Sequence, residues 1–252
     1  MVVGAYLCVY GPQTVDALLA WNTGRKLPLV KITPTELKDF SINSDAGSRL
    51  SYFGYSFEIP WTDIDESKST SADRMQVVAF QSRMTLIVAS VPPREFVSYV
   101  AKETGGEELF KAAYGERIAS SDYNFYRALL ATTPQSINLF GTRQAAARNL
   151  RLLFIKALAL TQPASTGIYL LYTPTFQGFQ FGDPGARPNR IHMNLYDERG
   201  TAEITVVCNA ECSAPITQAD LNRISQSLVR VAPSEAPTSI PTKGNSKLTA
   251  SR

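Results

Sequence analysis

Histidine is nearly absent from this sequence, since His192 is the only one among the 252 residues. The cysteines are Cys8, Cys208 and Cys212, and so small and odd a count excludes a disulfide-bonded scaffold. A structural zinc site needs four nitrogen or sulfur ligands, and the Cys208–Cys212 spacing has no second ligand pair. A serine or cysteine triad would have to use His192, and no Gly-x-Ser-x-Gly motif supplies its serine. The sequence therefore predicts no metal, no cofactor and no catalytic residue.

Charge is also scarce. Asp, Glu, Lys and Arg make up 19% of the chain, and the net charge is +3. The last twenty residues contribute +2 of this, from two lysines and one arginine against one glutamate, so the rest of the chain is close to neutral. A nucleic-acid binder needs a basic face that neutralises phosphates. Nucleic acid is therefore excluded as the expected partner.

A long hydrophobic run is missing as well. Residues 1–10, MVVGAYLCVY, are apolar and are followed by Gly11 and Pro12, but a helix needs roughly 20 residues to cross a membrane. Two interpretations are open. In one, the apolar stub of residues 1–11 is the end of a membrane anchor whose beginning is missing from this chain. In the other, it is a short element packed on the domain. The first interpretation implies that the chain is tethered to a membrane, with the domain outside the cytoplasm. The alternative location of the domain is the cytoplasm.

The remaining sequence divides by composition. Residues 12–48 are predicted to be a linker with a short helix, and residues 49–231 a single globular α+β domain. Residues 232–252 are predicted to be a disordered tail, because their composition cannot bury enough apolar surface to offset chain entropy.

Periodicity predicts the elements of the domain. Apolar residues that recur every second position predict strands at 52–60, 75–80, 85–89, 167–172, 176–181, 190–196 and 201–208. Helical spacing, with caps at Ser121, Thr142 and Thr217, predicts helices that include 107–114, 122–131, 143–160 and 218–229. The polar stretch 62–73 is expected to be an exposed loop. Grouped strands with local hairpins predict a largely antiparallel sheet covered by helices, an α/β/α-type sandwich.

One segment suggests a family. An aromatic-rich strand ends in proline and tryptophan, GYSFEIPW at 54–61, and a hairpin, helices, an antiparallel meander and a final helix follow. In this order the chain resembles the PsbP-like α/β/α sandwiches over roughly residues 49–231. Many proteins of that family are exported or membrane-tethered accessory proteins without enzymatic activity. The resemblance therefore implies a binding or assembly role, and it assigns no functional residues.

The strand at 190–196 contains the candidate ligand-binding residues. His192 is opposite in phase to Ile191 and Met193, so its side chain is expected to point away from their apolar face. Asn194 and Tyr196 have the same phase as His192. Cys208 and Cys212 could form a disulfide in an oxidising compartment or stay as two thiols.

Two functions are compatible with these features. The first is a non-enzymatic binding or assembly domain, membrane-tethered or exported, whose partner is an unidentified protein or small molecule. The alternative is an enzyme or small-ligand carrier with a cleft between sheet and helices, to which His192, Asn194 and Tyr196 would contribute.

Overall fold

The computed structural model describes residues 15, 18–20, 22, 26–42, 47–137, 142–159, 167–185 and 189–231. The predicted stub at 1–11, the predicted tail at 232–252 and part of the predicted short helix after Pro12 lie outside these residues.

Strands and helices alternate in blocks along the described chain. The strands are β1 (Thr35–Glu36), β2 (Ser48–Tyr52), β3 (Tyr55–Ile59), β4 (Ile64–Ala72), β5 (Met75–Phe80), β6 (Met84–Val91), β7 (Ile168–Tyr172), β8 (Gln177–Phe181), β9 (Asn189–Asp197), β10 (Gly200–Cys208) and β11 (Val229–Arg230). The helices are α1 (Glu95–Thr104), α2 (Glu107–Tyr114), α3 (Glu116–Ala119), α4 (Asp122–Ala131), α5 (Arg143–Ala159) and α6 (Gln218–Ser227), with 3₁₀ turns at Pro28–Lys31 and Pro134–Ser136.

The strands form two sheets. The large sheet has the order β1-β7-β8-β9-β10-β6-β5-β4, and the small sheet has the order β11-β3-β2. Adjacent strands are antiparallel except for β1 and β7, which are parallel. At the centre, β6 pairs with β10, with Val91 opposite Thr201 and Met84 opposite Cys208. The prediction of an α+β fold with a largely antiparallel sheet is confirmed.

The first face of the large sheet carries the main core. Ile191, Met193 and Leu195 of β9 point to this face and are fully buried. They belong to the same core as residues of the small sheet and of α6, such as Phe57 and Leu221. The covering layer is therefore a three-stranded sheet together with a helix, whereas the sequence predicted helices alone.

The second face is covered by α4. Tyr123 and Leu130 of this helix pack on Phe179 and Phe181 of β8. Behind α4, helices α1, α2 and α5 form a further apolar cluster around residues such as Phe125. His192 points to this face as predicted, because its ring lies 6.0 Å from that of Phe181.

The predicted helix caps are confirmed. The Ser121 hydroxyl accepts a hydrogen bond from the Asn124 N–H at 3.2 Å, at the start of α4. Thr217 and Asp220 accept each other's backbone N–H groups at the start of α6, which is the reciprocal pattern of a capping box. Thr142 caps α5 in the same way as Ser121 caps α4. Each cap satisfies backbone donors that the first helical turn leaves unpaired.

Two local predictions were wrong. The segment 62–73 is largely strand β4, since an exposed edge strand pairs through its backbone and does not need alternating apolar side chains. The predicted strand at 52–60 contains a hairpin turn, with φ of 54° at Phe53 and 77° at Gly54. Positive φ at both central residues fits the twist of a two-residue hairpin.

The described residues of the segment predicted to be a linker are attached to the domain through a strand and through hydrogen bonds. Its residues Thr35 and Glu36 form β1. The Asn222 side chain of α6 donates to the Asp39 carbonyl at 2.9 Å and to that of Ser41 at 2.8 Å. The Lys156 ammonium of α5 donates to the Ile32 carbonyl at 2.6 Å.

Candidate functional site

A cleft of about 1020 Å³ lies at one end of the large sheet. The ends of several elements meet there: the turn between β7 and β8, the turn between β9 and β10, the N-terminus of α4, and β11. Its lining comprises residues 93–94, 120–123, 172–177, 196–201 and 229–230. Its volume is at the upper end of the range for small-molecule pockets, roughly 300–1,000 Å³.

Tyrosine rings form one wall of the cleft. Tyr123 stacks on Phe179 with ring centroids 5.5 Å apart, and the Tyr123 and Tyr196 centroids are 5.8 Å apart. Burial, followed by the neighbouring Tyr172 hydroxyl, raises the pKa of Tyr123 to about 12. Burial also raises the pKa of Tyr196, so both phenols are neutral at physiological pH. Tyr172 also lines the cleft and remains 51% exposed.

An ion pair also lines the cleft. The Arg230 guanidinium of β11 donates through Nε and Nη2 to the two carboxylate oxygens of Asp197, with Nη2 2.9 Å from Oδ1. The same Nη2 lies 2.9 Å from the Tyr55 hydroxyl, and the guanidinium carbon lies 4.6 Å from the Tyr55 ring centroid. Hydrogen bonding to Asp197 raises the pKa of Arg230. A two-pronged bond of this kind sets the position of β11 against the β9–β10 turn.

Replacing Arg230 by lysine tests this anchor. We expect Arg230→Lys to lower the free energy of unfolding by about 1–2 kcal/mol, because an ammonium cannot reproduce the planar fork that reaches two oxygens and Tyr55. Urea denaturation measures the change. The matched control is Arg49→Lys, in a pair with Glu58 whose arginine side chain is 55% exposed, and it should stay within about 0.5 kcal/mol. Equal losses in both variants would contradict an anchoring role for Arg230.

Arg94 and Asp122 also line the cleft, and both form hydrogen bonds within the protein. Arg94 has a left-handed backbone with φ of 60°, and its guanidinium donates to Glu107 and, at 3.2 Å, to the Ala119 carbonyl. Asp122 is 5% exposed and accepts the Val97 N–H at 2.8 Å. Burial raises the pKa of Asp122. Both charged groups thus join α1 to the helices around it.

The charges around the cleft balance. Three arginines line it, and so do three carboxylates; the six residues are Arg94, Arg199, Arg230, Asp122, Asp197 and Glu198. Four of them are engaged in the bonds described above. The cleft therefore offers neutral aromatic and backbone surface rather than a strongly charged field.

Only one of the three predicted ligand-binding residues lines the cleft. Tyr196 lines the cleft, while His192 and Asn194 lie further along the same face of β9, outside the lining. His192 Nδ1 is 2.7 Å from the Thr205 hydroxyl, and burial lowers the pKa of the imidazole. Asn194 is 6% exposed.

Cys208 and Cys212, which the sequence allowed to pair, are both buried. The Cys208 sulfur donates to the Ala214 carbonyl at 3.6 Å, and the Cys212 sulfur to the Arg83 carbonyl at 3.5 Å. Both cysteines belong to the core on the first face of the large sheet.

Sequence reasoning missed Tyr172, Arg230 and Arg94 as cleft residues. Tyr172 ends a strand, and Arg230 follows the predicted last helix, so neither lies in a motif. No local signal links these positions, because tertiary pairing alone brings them together.

No protein-family model matches the chain, and comparison with curated proteins finds no match. Within the described residues, no helix is both long enough and apolar enough to cross a bilayer. In the same part of the chain, no three His, Cys, Asp or Glu side chains converge as ligands for a metal ion.

Proposed function

We propose that this chain is a non-enzymatic binding domain that takes an extended segment of a partner polypeptide into the cleft. The observation that carries the proposal is the exposed Tyr172 ring beside charged groups that are already paired within the protein. A group engaged in a structural ion pair is poorly placed to transfer a proton or attack a substrate. An exposed aromatic ring contributes contact area at low entropic cost.

The shape of the cleft supports a polypeptide as the ligand. Its lining comes from the ends of several separate elements, so it can contact many points along an extended chain. One rim is β11, which pairs with β3 alone among the described strands and is an edge of the small sheet. Edge strands bind extended peptides through main-chain hydrogen bonds, with side-chain pockets that add specificity. Val229 on this edge is 37% exposed and adds apolar surface.

A polypeptide is favoured over a small ligand between sheet and helices. The space between α4 and the large sheet is filled by packed rings, which include those of Tyr123, Phe179 and Phe181. The open volume lies instead at the end of the sheet. The PsbP-like resemblance points to the same binding role. A tether through residues 1–10 stays a prediction from the sequence.

Peptide selection tests the proposal. Random peptides displayed on phage are selected against the full chain, and the best binders are then synthesised and titrated by calorimetry. We expect Tyr172→Ala to weaken their binding at least tenfold, because truncation of an aromatic anchor costs about 2 kcal/mol. The matched control is Tyr99→Ala, a tyrosine of α1 that is 63% exposed and outside the cleft lining, and it should leave affinity unchanged.

Three results would overturn the proposal. Selection could return no binder, the binders could be equally sensitive to the two tyrosine substitutions, or they could be insensitive to both. The last two would place peptide binding elsewhere on the surface.

A further inference from the structure

The chain leaves the described structure at the rim of the cleft. Val229 and Arg230 of β11 line it, and the next residue, Val231, donates its N–H to the Gly54 carbonyl at 3.0 Å. The described chain therefore ends beside the cleft, at a fixed backbone bond.

We propose that residues 232–242 bind in this cleft in cis and compete there with the partner polypeptide. This inference rests on the proposed function, since it requires a cleft that accepts polypeptide. Beyond the proposed function, the inference assigns the cleft a ligand from the same chain, and competition from that ligand would regulate partner binding at the same site.

The composition of the segment suits the cleft. Residues 232–242 read APSEAPTSIPT, with prolines at 233, 237 and 241, one large apolar residue, Ile240, and one charge, Glu235. Proline sets φ near −65° in advance, so an extended proline-rich segment loses little further entropy on binding. Aromatic-lined grooves recognise such segments. A nearly neutral segment also matches a lining whose arginines and carboxylates balance.

Because the segment is covalently linked to the domain, it can occupy the cleft even if its intrinsic affinity for the cleft is weak. A segment joined directly to the rim has an effective concentration on the order of 1 mM. With a dissociation constant of about 0.1 mM for the free peptide, the segment would occupy the cleft roughly nine-tenths of the time. External peptides would then bind the intact chain about tenfold more weakly than a chain whose segment cannot bind.

Titration of a synthetic 232–242 peptide into the full-length chain is the first experiment. Two variants are compared with the wild type: Pro237→Ala combined with Ile240→Ser, and the control Leu248→Ser, which makes a similar apolar-to-serine change beyond the segment. We expect the peptide to bind the first variant about tenfold more tightly than it binds the wild type or the control. Adding Tyr172→Ala to the first variant should remove that binding, whereas adding Tyr99→Ala should not.

The outcomes separate this inference from the proposed function. The inference alone is overturned if phage-selected peptides bind in a Tyr172-dependent way but the 232–242 peptide does not bind. It is also overturned alone if the 232–242 peptide binds the wild type and the first variant equally. If neither kind of peptide binds, both are overturned.

Photo-cross-linking then distinguishes cis from trans occupation. Benzoylphenylalanine is introduced at Ile240 of the full chain, and the cross-linked products are mapped by mass spectrometry after illumination. An intramolecular cross-link to 172–177 or 196–201 is expected. Cross-linked dimers would assign the segment to the cleft of a second copy and overturn occupation in cis.

Discussion

Replacing Lys156 by methionine is expected to lower the free energy of unfolding by about 2–4 kcal/mol. The Lys156 side chain is fully buried, and its ammonium donates to three backbone carbonyls: Ile32 at 2.6 Å, Leu130 at 2.7 Å and Thr132 at 2.9 Å. Methionine has similar length and fills the same space, but it leaves three acceptors without that donor. Each unsatisfied acceptor costs about 1–3 kcal/mol, and relief from burying a charge offsets part of the sum.

The position of Lys156 explains why it matters more than an ordinary buried polar residue. Leu130 and Thr132 lie at the C-terminal end of α4, where helix carbonyls lack partners and the helix dipole favours a positive charge. Ile32 belongs to the N-terminal segment that precedes β1. One side chain of α5 therefore holds the end of α4 and the N-terminal segment together.

Urea denaturation of Lys156→Met measures the effect. The control is Lys102→Met, at an exposed position on α1, where the same substitution should change stability by less than about 0.5 kcal/mol. A small loss at Lys156, similar to that of the control, would mean that solvent or neighbouring groups can satisfy the three carbonyls.

The pKa of Lys156 predicts how the stability of the protein depends on pH. Burial lowers the pKa of Lys156 from 10.5 to about 8. Between these two values the unfolded chain binds more protons than the folded chain, so the stability that Lys156 confers rises with pH over that window and is flat below it. We expect the difference in unfolding free energy between wild type and Lys156→Met to grow from about pH 8 to 10.5. A constant difference would show that the carbonyls hold the ammonium near its ordinary pKa.

Gly178→Ala is expected to cost about 3–4 kcal/mol, near the upper limit for a single added methyl group. A Cβ at this position would lie 1.9 Å from the carbonyl oxygen of Asn194 and 2.9 Å from the carbonyl carbon of the same residue. Both atoms are backbone, and β9 is held by β8 on one side and β10 on the other. The clash cannot be relieved by rotation of a side chain, so the two strands must separate.

Gly185→Ala is the control for this substitution. Gly185 has φ of 93°, but a Cβ there would meet nothing within 4 Å, so alanine introduces backbone strain of about 1–2 kcal/mol without a clash. Thermal and urea unfolding of the two variants separate the two effects. Equal losses would show that the backbones of β8 and β9 can move apart at little cost.

Sequence reasoning predicted the parts of the fold that short-range physics determines. Alternation located β9 and β10, and side-chain oxygens at Ser121 and Thr217 marked helix starts, because each signal lies within a few residues of its effect. It failed at β4, where a polar edge strand owes its conformation to the neighbouring β5. It also failed at Phe53 and Gly54, where aromatic alternation continues through a turn.

The cleft was harder to predict for the same reason. Tyr196 could be proposed from its strand, but Arg230 meets Asp197 from 33 positions away in sequence. Gly178 lies in the strand predicted at 176–181, but its close approach to Asn194 depends on the β8–β9 pairing. Contacts of this kind follow from register and topology, which local patterns do not encode.

The pairing of β6 with β10 has a consequence for synthesis of the protein. Thr201 emerges from the ribosome about 110 residues after its partner Val91, which at 5–20 residues per second is a delay of roughly 5–20 s. Leu86 and Val88, fully buried in the finished sheet, have no β10 beside them during that interval. Nascent chains halted after α5 should therefore recruit a chaperone that recognises exposed apolar strands, and chains extended past β10 should release it.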